Sequence, residues 1–236
     1  MQVDVKILSK TLAYRLQRFL PDLIHSDQKG FVKGRSLHHH VRFLHDIQSL
    51  LQRRGAKGYA LFLDFAKAYD RVNWNYLFQV LERAGFGEVF CSWVRLLYSG
   101  VQATLSLNGT LQEALFPTRG VKQGDPLSSL LFVLSIEPLG NLLRAQPDLG
   151  LPISAGLNAT GIYFADDSTL FSKSLAGLAR QVEIVRSYCA GSGALLNLEK
   201  SQLFTFHDER VSAQDSLVGL NSSECIKYLA YISVRE

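Results

Sequence analysis

The sequence predicts an α+β fold, a sheet with helices packed on one face, and three observations carry that reading. After two leading helices, β-prone runs and helical periodicities alternate in the order strand, helix, hairpin, helix, hairpin, helix. The 236 residues are 47% hydrophobic and 19% charged, which supplies one substantial core and argues against disorder. No internal repeat, low-complexity tract or linker divides the chain, so a single domain with sub-regions is expected.

Each element follows from local pattern. From Val5 to Leu20 apolar residues recur at helical intervals, with Ile7, Leu8, Leu12, Leu16, Phe19 and Leu20 on one side, and Pro21 ends the helix. The polar, glycine-punctuated stretch from Ser26 to Ser36 breaks the periodicity and forms a basic loop before a second helix from about Leu37 to Arg53. The run Tyr59 to Phe65 is short, apolar and β-prone, a buried strand with one acid, Asp64, near its end. Asn73 or Asn75 caps a helix that passes Leu77, Val80 and Leu81 and stops at Gly85, and another spans about Val89 to Tyr98.

Val101 to Leu107 alternates apolar and small polar residues up to Asn108-Gly109, a two-residue hairpin signal. Arg119 to Pro126 is a polar loop, and Pro126 opens a helix from Leu127 to about Arg144. Gly161 to Phe171 predicts two strands around a tight Asp166-Asp167 turn, followed by a helix from about Leu175 to Ser192 and a terminal strand pair. Trp74, Trp93 and the Phe/Leu stripes are expected in the core.

Composition excludes several classes. Three distant cysteines without metal-ligand spacing indicate neither a disulfide framework nor a zinc site, and a reducing, intracellular setting is expected. No apolar run reaches membrane-spanning length, and no targeting segment precedes the fold, so no membrane partner is expected. The formal charge of +4 suits a polyanionic partner without demanding one. His38, His39, His40 and His45 invite a metal reading, but consecutive helical residues point to different faces, so no site is expected there.

The chemistry lies in the acids. Asp166 and Asp167 sit between apolar β-prone flanks, where two like charges repel unless a cation neutralises them; a solvated turn is the bland alternative. Asp64 has the same setting on another strand. Three carboxylates converging from two strands could hold a pair of Mg²⁺ ions about 3.5–4 Å apart for an in-line phosphoryl displacement.

Four segments occur in order: Leu63-Asp-Phe-Ala-Lys-Ala-Tyr-Asp-Arg-Val72, Arg119-Gly-Val-Lys-Gln-Gly-Asp-Pro-Leu-Ser128, Phe164-Ala-Asp-Asp167 and Leu196-Asn-Leu-Glu-Lys-Ser201. They closely resemble motifs A to D of reverse transcriptases, and Gln28-Lys-Gly-Phe-Val-Lys-Gly-Arg-Ser36 resembles the fingers motif of LINE-type (non-LTR) retrotransposon and group II intron enzymes. The resemblance covers nearly the whole chain, from Lys6 to Leu229. It implies right-hand polymerase fingers and palm, with an antiparallel palm sheet backed by helices. Fingers would occupy approximately residues 1–58 and 100–118, and palm 59–99 and 119–236.

Position by position, the resemblance implies that Asp64 and Asp166 ligate the metals, two Mg²⁺ ions with Mn²⁺ as an alternative, that Phe65 adds its backbone carbonyl, and that Asp167 completes the cluster. Tyr69 falls at the family's aromatic steric gate, where its ring would collide with a ribose 2′ hydroxyl; a core aromatic is the alternative. Gln123 and Gly124 resemble residues that contact the incoming nucleotide and template, and glycine would let the backbone approach closely. Arg119 and Lys122 would supply charge to phosphate or form a solvated basic loop. Lys33 and Arg35 suit triphosphate or template-backbone binding, Arg35 the more strongly. Lys200, read as lying on a strand, matches the motif D lysine that protonates pyrophosphate, with a solvated lysine as the alternative.

The activity implied is RNA-directed DNA polymerisation, with an RNA template, a DNA primer and dNTPs as partners and a nuclear workplace on the family's account. The chain starts just after the position of the family's first fingers strand, bears Ala230 where the primer-grip hairpin carries glycine, and is expected to lack a thumb, an endonuclease and a zinc knuckle. A non-catalytic retroelement remnant that at most binds nucleic acid is therefore the competing reading. An RNA-directed RNA polymerase is a third, disfavoured by Tyr69. Oligomeric state is not indicated.

Overall fold

The computed structural model describes residues 3–206 and, beyond them, the backbone of three two-residue strands. Helices α1 (Val3–Gln17), α2 (Leu20–Leu23) and α3 (His38–Arg54) precede strand β1 (Tyr59–Leu63). Helices α4 (Ala68–Arg71), α5 (Trp74–Arg83) and α6 (Glu88–Tyr98) follow, then the hairpin β2 (Ser106–Leu107) and β3 (Thr110–Leu111), and α7 (Ser128–Arg144). The chain continues through hairpin β4 (Leu151–Ser154) and β5 (Leu157–Ala159), strands β6 (Gly161–Phe164) and β7 (Asp167–Ser172), helix α8 (Leu175–Ser192) and β8 (Gln202–Thr205). Last come β9 (Asn221–Ser222), β10 (Lys227–Tyr228) and β11 (Ile232–Ser233).

One five-stranded sheet runs in the order β6-β7-β1-β8-β9, antiparallel except for the parallel β8–β9 pair. Its alternation sorts side chains into two cores, because successive strand residues point to opposite faces. Leu61, Leu63, Tyr163, Leu170 and Leu203 join the core that also holds Leu77, Leu131 and Val185 of α5, α7 and α8. Ala60, Ile162, Phe171 and Phe204 join a second core, which Leu44, Ile47 and Leu51 of α3 cover. The expectation of helices on one face is thus corrected: α3, amphipathic with its buried stripe at helical spacing, closes the other.

Local chemistry explains most boundaries. Asn73, not Asn75, caps α5, its side chain accepting from the Tyr76 N–H at 3.1 Å. Asn108 and Gly109, at φ 51° and 82°, make the two-residue hairpin turn that a right-handed sheet twist favours. The expected stripe of the first helix is buried at Leu12, Leu16 and Leu20, with Leu8 packed against the core, but two of its members depart. Helix α1 buries Ser9, Leu12, Ala13 and Leu16, while Ile7 and Phe19 are exposed, and Pro21 lies in the opening turn of α2 rather than ending a longer helix. Trp93 is likewise exposed on α6 rather than buried in the core.

Tyr228 pairs with Ile232 in the last hairpin, but the glycine-to-alanine expectation falls on Leu229 and Ala230, outside the described residues. No helix among the described residues is long and apolar enough to cross a membrane.

Candidate active site

The acids meet where the two central strands end. β1 pairs with β7 from Tyr59↔Ser172 to Leu63↔Ser168, so Asp64, one step beyond, stands beside Asp167. Asp167 is the first residue of β7 and pairs with Phe164 of β6. The tight turn is therefore Ala165-Asp166, one residue earlier than the expected Asp166-Asp167. Ala165 takes the left-handed conformation there, φ 55°, which costs a non-glycine residue about 1–3 kcal/mol.

The carboxyls feel one another. Burial, then the Asp166 and Asp64 charges, push the Asp167 carboxyl up to about 6, although the residue keeps solvent exposure. Asp166 is raised as well, chiefly by burial and further by Asp64. Burial, and then like charge, thus disfavours ionised carboxylates at this end of the sheet. Hard carboxylate oxygens in that condition suit a hard divalent cation. As the side chains stand, no three His, Cys, Asp or Glu residues among the described residues are close enough to ligate one ion, so a cation would have to draw the three acids in.

Motif D secures the Asp64 backbone on both sides. The Asn197 N–H donates to the Asp64 carbonyl at 2.8 Å, and the Asp64 N–H donates to Ser201 Oγ at 3.1 Å. Phe65 bridges Leu196 with its ring buried, and that bridge bonds the backbone groups of its neighbours, Asp64 and Ala66, leaving the Phe65 carbonyl outside the pairing. Lys200 lies in an exposed turn before β8, not on a strand.

Beyond Asp64 the chain is laced to the motif B loop. The Val121 N–H donates to the Tyr69 carbonyl and the Gly120 N–H to the Val72 carbonyl, each at 2.8 Å, while Trp74 Nε1 donates to the Gly120 carbonyl at 2.8 Å. Gly120 sits at φ 91° with a Cβ position only 2.8 Å from the Asp70 carbonyl oxygen, so no other residue fits. Tyr69 stacks on Phe132, ring centroids 4.4 Å apart and 8° from parallel. Burial and the Asp166 charge raise its hydroxyl to about 12, which keeps it protonated.

Tyr69, Lys67, Asp70, Gln123, Gly124 and Phe31 line an open cleft of about 520 Å³, and Tyr69, which feels the Asp166 charge, connects it to the acids. Gln123 donates to Asp70 at 3.0 Å. Gly124, at φ 78°, faces open space, so a backbone could come close to a bound molecule there.

The basic residues divide. Lys33 and Arg119 are exposed. Lys122 is half-buried on the wall of that cleft: its Nζ donates to the Leu97 carbonyl at 2.5 Å and lies 5.5 Å from the Tyr98 ring, and burial lowers its pKa. Arg35 is corrected. Its two terminal nitrogens donate to the carbonyls of Pro21 and Ile24 at 2.8 Å, Gln28 at 2.9 Å and His25 at 2.5 Å, so it fastens the fingers loop rather than offering a fork to phosphate.

Sequence reasoning missed two residues inside the quoted motifs. Asp125 is buried and accepts from Ser9 and Ser128, tying α1 to the start of α7. Gln28 is 1% exposed and bonds the Ala165-Asp166 turn. A polar residue in a loop gives no burial signal of its own, so neither stood out.

A central antiparallel sheet that carries its acids on a hairpin turn and at the neighbouring strand end, with helices behind it, defines a polymerase palm. The chain belongs to the reverse transcriptase (RNA-dependent DNA polymerase) family, whose model matches residues 1–233. It is 34% identical over 209 residues to the Xenopus laevis transposon TX1 uncharacterized 149 kDa protein, 85% of this chain and 15% of that protein. It is 32% identical over 143 residues to the retrovirus-related Pol polyprotein of the Drosophila melanogaster type-2 retrotransposable element R2DM, 60% of this chain and 13% of that protein. The relatives are non-LTR retrotransposon proteins, and the chain spans less than a fifth of the length of either. In fold it is similar to apo telomerase from Candida tropicalis, with a TM-score of 0.66 at 11% identity over 95% of this chain and 38% of that one.

Proposed function

We propose that the chain catalyses RNA-directed DNA synthesis, adding dNTPs to a primer 3′ hydroxyl on an RNA template. The observation that carries this reading is the register placing Asp64 beside Asp167, with Asp166 on the adjoining turn. Two divalent cations, Mg²⁺ in the first instance, would supply the charge that activates the attacking oxygen and stabilises the leaving pyrophosphate. Asp64, Asp166, Asp167 and the Phe65 carbonyl are the groups that would hold them.

The remaining roles belong to the chain itself. The cleft beside the acids receives the dNTP, with Lys67 at its edge and Gln123 and Gly124 on its wall. Tyr69, immobilised on Phe132, occupies the sugar side and excludes a 2′ hydroxyl. Lys33 and Arg119 contribute exposed positive charge for the nucleic-acid backbone. Lys200 is exposed, and it would protonate the leaving pyrophosphate as a general acid.

The test is dTTP incorporation on oligo(dT)-primed poly(rA), with and without Mg²⁺, beside an Asp166→Ala/Asp167→Ala control. Metal-dependent extension that vanishes in the control supports the proposal. A folded wild-type chain that binds primed template in a salt-dependent way without extending it favours the non-catalytic reading.

A further inference from the structure

The fingers loop reaches the catalytic hairpin through one buried amide. Gln28 Oε1 accepts from the Ala165 N–H at 2.9 Å and from the Gly30 N–H at 2.8 Å, while Gln28 Nε2 donates to the Ala165 carbonyl at 3.4 Å. The side chain thus pairs with both backbone groups of Ala165, as an added strand would. The main chain joins in on either side. The Tyr163 N–H donates to the Asp27 carbonyl at 3.0 Å, and the Lys29 N–H donates to the Tyr163 carbonyl at 2.8 Å.

Gly30 lies so close beneath the turn that a Cβ would stand 2.3 Å from the Ala165 nitrogen, a contact no side chain tolerates. Arg35 ties the loop to the end of α2, donating to the Gln28 carbonyl within the loop and to those of Pro21, Ile24 and His25 before it. Asp27 is further anchored by Arg144 of α7, whose Nη1 donates to both carboxylate oxygens, at 2.6 and 2.8 Å. Everything around Gln28 is therefore braced, and what it braces is the strained residue immediately before Asp166.

We infer that Gln28 is a positioning residue for catalysis: its amide holds Ala165 in the left-handed conformation and so sets where Asp166 presents its carboxylate. An alanine released from that pairing relaxes toward ordinary backbone angles, since the left-handed state costs it free energy. Asp166 would then swing away from Asp64. Glutamine is required rather than glutamate, because a carboxylate accepts both N–H bonds but cannot donate to the Ala165 carbonyl, and it adds a negative charge beside the acids.

This inference rests on the proposed polymerase activity for its kinetic arm and stands without it for its structural arm. The structural arm is amide hydrogen exchange on metal-free Gln28→Ala and Gln28→Glu, compared with the wild type. In Gln28→Ala the Ala165 amide should exchange about tenfold faster or more, as loss of one buried hydrogen bond implies, with Leu61 in β1 unchanged. In Gln28→Glu, which keeps the acceptor, the Ala165 amide should stay protected.

The kinetic arm is primer extension. In Gln28→Ala kcat per folded molecule should fall by about tenfold or more while the KM for dTTP stays within about twofold, the signature of a displaced reacting group rather than lost binding. Gln28→Glu should restore only part of that loss and need more Mg²⁺ for half-maximal rate. Wild-type exchange at Ala165 in Gln28→Ala, or an unchanged kcat in that variant, overturns the inference. An inactive wild type, with Ala165 protected in the wild type and in Gln28→Glu but not in Gln28→Ala, defeats the polymerase reading and leaves the positioning contact standing.

Discussion

Tyr69 and Phe132 lie ring on ring, 8° from parallel with centroids 4.4 Å apart, so the aromatic at the cleft wall cannot tilt without losing a stacked partner. Stacking of this kind is worth about 0.5–1.5 kcal/mol beyond the area buried. Replacing Tyr69 with Val should relax discrimination against rNTPs by an order of magnitude or more. Phe132→Ala should relax it less, by about three- to tenfold, because the ring remains but loses its support. Relative kcat/KM for dTTP and UTP on one template measures both.

The raised Asp167 carboxyl makes a stability prediction whose sign is fixed. A group whose folded pKa, about 6, exceeds its ordinary value of 3.8 binds more protons folded than unfolded between those limits. Metal-free protein should therefore lose stability as pH rises from about 4 to about 6, to the extent that this carboxyl contributes. Asp167→Asn should flatten that part of the profile, and Mg²⁺ should stabilise the wild type above pH 6 more than the variant. Thermal melts across the range, with and without Mg²⁺, decide it.

Arg35→Lys tests the corrected role of that residue. An ammonium cannot reach four divergent carbonyls, and hydrogen bonds from a charged donor are worth about 1.5–3 kcal/mol each in favourable cases. The substitution should destabilise the chain by at least about 2 kcal/mol in urea unfolding, with little change in the salt dependence of template binding. A phosphate-binding Arg35 would instead lower the salt slope and leave the unfolding midpoint in place.

Gly120→Ala should be costly for two reasons that add. The residue sits at φ 91°, and its Cβ would lie 2.8 Å from the Asp70 carbonyl oxygen. A loss of about 1–3 kcal/mol from backbone strain alone is expected, together with a shift in the loop that carries Gln123. Gly124→Ala shares a positive φ but meets open space, so its cost should be the smaller in the same unfolding assay.

Much of this molecule was legible in its sequence because its information is periodic or punctuated. The α8 bounds, the Asn108-Gly109 hairpin turn and the start of β1 at Tyr59 follow from patterns that the backbone reads locally, although β1 stops at Leu63 rather than running on to Phe65. The departures arise where tertiary contacts override pattern. Ile7 and Phe19 fit a helical stripe but face outward, and Arg35, apt for phosphate by composition, is claimed by the carbonyls of Pro21 and Ile24 at the end of α2. The catalytic turn begins at Ala165 because Gln28, 137 residues earlier, holds a conformation that alanine alone would decline.

The sorting of β1 between two cores has a consequence for accuracy. Leu61 and Leu63 fit against α5, α7 and α8, whereas Ala60 and Phe62 fit beneath α3. A one-residue slip of β1 would exchange those sets, drive Phe62 into space shaped for leucine and move Asp64 away from Asp167. Oil-like residues that never touch a substrate thereby act as a ruler, and an error in where the acid lands is punished first as a failure to fold.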